Sequence, residues 1–166
     1  HRRLKFFLKF LSPEKLRELS RFYMPIGKRV IVIGGGIQGC ELAEFLTKRG
    51  RQVTIVETKD KLGEGMVDAL MDHLFLWFRK KGVTTIGGVR QYVEITDRGL
   101  TIVNNEGKRQ TIEADTIVSA LPLKANPELL KGLQEKVPEV YPIGDCRDPL
   151  LIADAIGTGL RTARTV

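Results

Sequence analysis

The sequence predicts an α/β domain with a three-layer ββα arrangement, built on a central parallel sheet and an antiparallel meander. Three observations carry that expectation. The apolar run Val30-Ile31-Val32-Ile33 passes into Gly34-Gly35-Gly36-Ile37-Gln38-Gly39 and then into a helical pattern from Cys40 to Arg49. A second apolar run, Val53-Thr54-Ile55-Val56, ends on Glu57. Later, short alternating segments are separated by Gly- and Asn-containing turns, the pattern of antiparallel strands. Strand, glycine turn, helix, strand and terminal acid together make a Rossmann-like dinucleotide-binding domain the expected fold.

Residues 1–24 carry helical spacing. Leu4, Phe7, Leu8 and Leu11 form one apolar stripe with Arg and Lys between them. Ser12-Pro13-Glu14 has the form of a cap followed by proline at the first helical position, opening a helix through about Phe22. Pro25 and Gly27 end it before the first strand. Three roles are open for this basic amphipathic leader, residues 1–27. It is a connector packing on a neighbouring domain, a membrane-surface helix, or a contact for nucleic acid or a partner protein.

After Glu57, a polar stretch with Gly63 and Gly65 precedes a helix from Met66 to Lys81. Leu70, Leu74, Trp77 and Phe78 give that helix its apolar face, and His73 and the aromatics there are expected to pack rather than bind. Val83–Ile86, Gln91–Ile95, Leu100–Val103 and Gln110–Glu113 are expected to form the meander. Thr116–Leu121 is a further buried strand, and Pro122–Pro127 a loop. Val140 to Asp145 is expected to be a short strand ending in Gly144-Asp145, with a small-residue helix beginning near Leu150.

At 166 residues the chain is one domain, or one domain with an appendage. No run approaches the roughly 20 apolar residues needed to cross a bilayer, and no secretory signal is evident. The two cysteines, Cys40 and Cys146, lack metal or redox spacing, so buried thiols of a cytoplasmic protein are expected. The chain lacks an initiator methionine, which is expected of a piece of something larger. Its net charge of +7 resides in the leader, because residues 1–29 hold nine Lys/Arg against two Glu and the remainder balances. The basic pI is therefore no argument for nucleic acid, and neither nucleic acid nor membrane is an expected partner of the domain.

The glycine pattern has a specific chemistry. Gly34 permits the tight turn, Gly36 lets a diphosphate approach the backbone, and Gly39 lets helix and strand pack closely. Amides at the helix start, those of Ile37 and Gln38 among them, supply hydrogen bonds at the positive end of the helix dipole. Glu57, 23 positions after Gly34, stands where a carboxylate accepts the hydroxyls of an adenosine ribose. Such a carboxylate favours NADH over NADPH. Gly144-Asp145, at a strand end before a helix, has the form of a carboxylate placed beside a polyol and a flavin ring.

These segments, GGGIQGCELAEFLTKRGRQVTIVE, ADTIVSALPLKANPEL and YPIGDCRDPLLIADAIGTG, resemble the pyridine-nucleotide module of two-dinucleotide flavoproteins. The resemblance is nearest to NADH:flavin oxidoreductases of the 2-enoate reductase and 2,4-dienoyl-CoA reductase type, over roughly residues 28–166. It implies an NAD(P)-binding domain at 28–134 and, at 135–166, a returning segment of an FAD domain whose remainder is missing. It implies contacts of Gly34, Gly36 and Gly39 with the nucleotide pyrophosphate, of Glu57 with its ribose, and of Glu41 toward nicotinamide and flavin. It places Asp145 on the FAD ribityl chain. FMN in a barrel and an iron–sulfur cluster are implied only in missing regions, which with the FAD domain would be the partners of this chain. The sequence departs from the family in having a single glycine fingerprint, in Leu121-Pro122 where many relatives carry glycine, and in lacking a C-x₄-C redox pair.

The expected function is thus a nucleotide-binding module that positions NADH for hydride transfer to FAD, in an enzyme reducing an enoate or enoyl-type C=C bond. No side chain is expected to act as a catalytic acid or base, and the isolated chain is expected to be inactive. A non-catalytic NAD-sensing regulatory domain is the alternative, since the Gly34 motif and Glu57 serve it equally well. A peripheral membrane or partner-binding protein working through the leader is a third reading.

Overall fold

A computed structural model describes residues 12–22 and 24–166, so the apolar stripe from Leu4 to Leu11 lies outside the described residues. The described chain falls into two compact units, one ending at Ala120 and the other comprising Leu121–Val166. The first opens with helix α1 (Pro13–Phe22), where Ser12 Oγ accepts the Lys15 amide at 3.3 Å, the cap its sequence predicts.

Strands β1 (Arg29–Ile33), β2 (Gln52–Val56), β3 (Thr84–Ile86) and β7 (Thr116–Ser119) form a parallel sheet in the order β3-β2-β1-β7. Arg29 pairs with Gln52 on one side of β1, and Val30 with Thr116 on the other. Alternate residues of a strand face opposite sides of the sheet, and β1 uses both. Val30 and Val32, with Val53 and Ile55, pack on Cys40, Ala43 and Leu46 of helix α2 (Ile37–Thr47) and on Leu74 and Phe78 of helix α3 (Asp68–Lys81). Ile31, Ile33 and Val56 pack on Val89, Leu100, Ile102 and Ala114. The latter side is covered by an antiparallel sheet of β4 (Gln91–Thr96), β5 (Gly99–Val103) and β6 (Arg109–Glu113). Helices, parallel sheet and meander are the three expected layers, and every residue of β1 from Val30 to Ile33 is buried because both faces are covered.

Four expectations need correction. Thr84–Ile86 does not belong to the meander but pairs in parallel with β2, from Thr54↔Thr84 to Val56↔Ile86. Such a short strand takes its direction from the neighbour that α3 delivers it to, not from its own pattern. Leu70 is 64% exposed, so the buried face of α3 begins a turn later, at Leu74 and Phe78, with Phe75 and Trp77 partly buried beside them. No strand forms over Val140–Asp145. In the second unit, which holds α4 (Glu128–Gln134) and α5 (Ile152–Ala163), Gly144–Cys146 is a single 3₁₀ turn. Pro142 has no amide for a ladder, and the Gly144 amide instead donates to Thr158 Oγ1 of α5 at 3.0 Å. The helix expected from Cys40 begins three residues earlier, because Gly36 already serves as its N-cap.

The junction of meander and sheet is fixed by charge. Asp115, just before β7, accepts the Arg29 amide at 2.9 Å and its guanidinium at 2.7 and 3.1 Å, while Glu113 accepts Arg29 Nη1 at 2.5 Å. These groups are exposed, so their contribution is mainly to register.

Phe78 is the largest fully buried side chain, 1% exposed and edge-on to Phe75 at 5.6 Å between ring centroids. Phe78→Ala is expected to lower unfolding free energy by about 3–5 kcal/mol through lost burial and the cavity left behind. Urea denaturation checks this, and a loss below about 1 kcal/mol would show that the helical layer collapses around the void.

Candidate functional site

The site lies at the carboxyl ends of β1 and β2, where open parallel sheets bind ligands. The chain leaves β1 through Gly34, whose φ of 109° is a conformation that side chains disfavour. The Gly34 amide donates to Val56 O at 2.9 Å, tying the turn to the end of β2. A Cβ on Gly39 would overlap the Gly34 carbonyl oxygen, so the start of α2 presses directly on the strand exit. A Cβ on Gly35 would meet Leu62 Cγ at 2.7 Å. Gly36 differs, since its Cβ would meet nothing closer than Glu64 O at 3.6 Å. The space over Gly36 is open.

The first turn of α2 presents amides without intrahelical partners. The Ile37 amide donates to Glu64 O at 2.8 Å, and Gly63 N donates to Gly35 O at 2.7 Å. The loop after β2 therefore lies along the glycine turn and takes one of its donors. The amides of Gly36, Gln38 and Gly39 have no such partner and lie at the positive end of the helix dipole. Farther along α2, Glu41 is exposed and lines a groove of about 780 Å³ with Glu44, Phe45 and Lys48 and with Glu14 and Glu18 of α1.

Glu57 is half-buried at the end of β2, directly beside the turn. Its Oε2 accepts the Gly35 amide at 2.6 Å, and its Oε1 accepts Thr58 Oγ1 at 2.9 Å and the Lys59 amide at 3.0 Å. Burial opposes ionisation of this carboxyl, but the Lys59, Gly35 and Thr58 hydrogen bonds outweigh it and hold the group below the ordinary carboxylate value. A carboxylate offers about four acceptor positions, and three are filled from within the chain. Among the described residues the fourth accepts no hydrogen bond at such distances, although the Thr58 amide also favours the charged form. Beneath it, Tyr92 of β4 reaches Val56 O at 3.4 Å, and burial, with the Glu57 charge, pushes its hydroxyl up to about 12.

Sequence reasoning missed the loop itself. Lys59 pairs with Glu64 through their side chains, and the main chain of Gly63-Glu64 clasps the glycine turn. The available signal was a charged residue between two glycines, Gly63-Glu64-Gly65, beginning six residues after the strand-end acid. Of the remaining predicted residues, Gly144 and Asp145 lie in the second unit, on the 3₁₀ turn, with Asp145 exposed. Among the described residues there is no cluster suited to a metal, and no helix is long and apolar enough to cross a membrane.

A glycine turn at a strand exit, a helix aimed at it and an acid at the next strand end define a Rossmann-type nucleotide-binding domain. Residues 9–159 match the family described as pyridine nucleotide-disulphide oxidoreductase, and the chain belongs to that family. It is 35% identical over 137 residues to the NADH oxidase of Thermoanaerobacter brockii, covering 82% of this chain and 21% of that protein. Against the cinnamate reductase of Clostridium sporogenes the identity is 30% over 146 residues, covering 85% and 21%. Among solved structures, a 2-naphthoyl-CoA reductase complexed with 2-naphthoyl-CoA superposes with a TM-score of 0.76 at 29% identity, covering 86% of this chain and 22% of that one. The chain thus spans about a fifth of the length of these curated relatives.

Glu57 contributes stability that is fully present above the ordinary carboxylate value of 4.5 and is lost as pH falls through its lower folded-state value. Thermal melts from neutral pH to about 3 are expected to show wild type above Glu57→Gln, with the gap closing below 4.5. A gap that does not change with pH would mean that the charge of Glu57 does not anchor the turn.

Proposed function

We propose that this chain is the pyridine-nucleotide module of a flavin-dependent oxidoreductase, holding NADH across the β1–α2 turn. The observation that carries the reading is the 2.6 Å hydrogen bond from the Gly35 amide to Glu57 Oε2. It couples the diphosphate turn to the ribose carboxylate, so that one dinucleotide spans both. The Gly36, Gln38 and Gly39 amides take the diphosphate, entering through the open space over Gly36. The open acceptor position on Glu57 takes a ribose hydroxyl, and displacement of Thr58 Oγ1 frees a second. Gly34 and Ile37 shape the turn, and Glu41 lies toward the nicotinamide end. In the second unit, Gly144 and Asp145 are the proposed flavin-side contacts.

A nicotinamide held there would supply a hydride for FAD in a parent enzyme, which would use the electrons, by way of an iron–sulfur cluster and FMN, to reduce an enoate or enoyl-type C=C bond. The resemblance of this chain to the cinnamate and 2-naphthoyl-CoA reductases supports that substrate class. This chain's part is binding and orientation, and by itself it is inactive.

Calorimetric titration tests the reading. NADH is expected to bind more tightly than NADPH, because Glu57 would face a 2′-phosphate as like charge against like. Glu57→Ala is expected to weaken NADH by about 1–3 kcal/mol, the scale of a charged hydrogen bond. Equal or tighter binding of NADPH would refute the role given to Glu57.

Gly36→Val is expected to abolish NADH binding with the circular-dichroism spectrum unchanged. The position has an ordinary φ of −69° and room for a Cβ, so the side chain fills ligand space rather than breaking the fold. Normal NADH affinity in this variant would place the diphosphate elsewhere.

A further inference from the structure

We propose that Glu64 is a specificity-determining residue of this site, acting by holding Lys59 in an ion pair and so withdrawing a cation from the ribose end. The inference rests on the reading that the Gly34 turn and Glu57 hold a dinucleotide. It concerns what a 2′-phosphate would meet there.

Lys59 lies two residues beyond Glu57, and its amide donates to Glu57 Oε1 at 3.0 Å. Its carbonyl accepts the Gly88 amide at 3.0 Å, which fixes its main chain on the other side. An ammonium rooted so close to the ribose carboxylate is well placed to neutralise a phosphate on the ribose. Glu64 prevents this by taking the ammonium with its Oε2. Glu64 is itself a fixed post, because its carbonyl accepts the Ile37 amide at 2.8 Å and the preceding Gly63 amide donates to Gly35 O at 2.7 Å. With both main chains pinned, the ion pair costs only side-chain freedom. The closed pair leaves Glu57 as the dominant charge at the ribose end. Lys61 is the other cation in the loop, and its amide makes no bond to Glu57.

The pair is mostly exposed, 59% and 68% for its two side chains, so its loss leaves fold stability almost unchanged. Its effect on a charged ligand is larger, since a released ammonium taken at about 6 Å from a phosphate of about one and a half negative charges is worth roughly a fivefold gain in affinity even at water-like screening. The structural role of Glu64 runs through its main chain, which Glu64→Gln preserves.

The test is calorimetric titration with NADH and with NADPH of wild type, Glu64→Gln, the double variant Glu64→Gln/Lys59→Gln, and Glu64→Gln/Lys61→Gln. The expected result is that Glu64→Gln improves NADPH affinity about fivefold relative to NADH, with an unchanged melting temperature. The gain is expected to vanish in the Lys59 double variant and persist in the Lys61 one. An unchanged NADPH/NADH ratio in Glu64→Gln, or a gain that depends on Lys61, overturns the proposal while leaving the dinucleotide reading intact. Failure of the wild type to bind either nucleotide refutes both.

Discussion

Helix α2 sits so close to the exit of β1 that a side chain on Gly39 would occupy the Gly34 carbonyl oxygen, and the rest of the first unit is arranged around that approach. The contact sets the angle at which α2 leaves the sheet and brings its unpaired amides to the strand end. It also places Cys40, Ala43 and Leu46 in one buried cluster with Val30, Val32 and Ile55. Cys40 is sealed by the same approach. Its thiol reaches Gly35 O at 3.4 Å, and burial pushes it up to about 11, so it is an inert packing group.

The polar side of the site is built mainly from backbone. Among the described residues, two side chains bond to the glycine turn, the Cys40 thiol to Gly35 O and Glu57 to the Gly35 amide, and Glu57 also accepts the Lys59 amide and the Thr58 hydroxyl. The loop after β2 hydrogen-bonds to the turn through main-chain atoms of Gly63 and Glu64, while the Leu62 side chain packs against Gly35. Main-chain donors keep their geometry without side-chain ordering costs. The charged side chains beside the turn include half-buried Glu57 and the exposed Lys59 and Glu64.

What could be read from the sequence follows from this division. Gly34 and Gly39 were legible because glycine is demanded there by φ and by close packing, and each demand leaves a fixed spacing. The covered strands were legible as unbroken apolar runs. The Lys59–Glu64 pair was not, because its geometry depends on main-chain bonds from Gly63 and Ile37 that any residue types can make. Thr84–Ile86 was misassigned because its pairing is decided by adjacency to β2 rather than by its own alternation. Val140–Ile143 has strand-like composition but no strand beside it, and the exposed 45% of Ile143 reflects that lack of cover. Helix α4 left little amphipathic signal, since Leu129 and Leu133 are both exposed.

The clasp of Arg29 by Asp115 has a consequence for the order of assembly. It joins positions 86 residues apart, and it marks where β7 completes the parallel sheet beside β1. The meander between them pairs neighbour to neighbour through short turns and needs no such closure. Local hairpins form before distant strands find each other. As the chain emerges from synthesis, β1 can pair with β2 early, but its other edge waits until Thr116–Ser119 is available. Through that interval Val30–Ile33 presents an open apolar strand edge, the kind that recruits other chains.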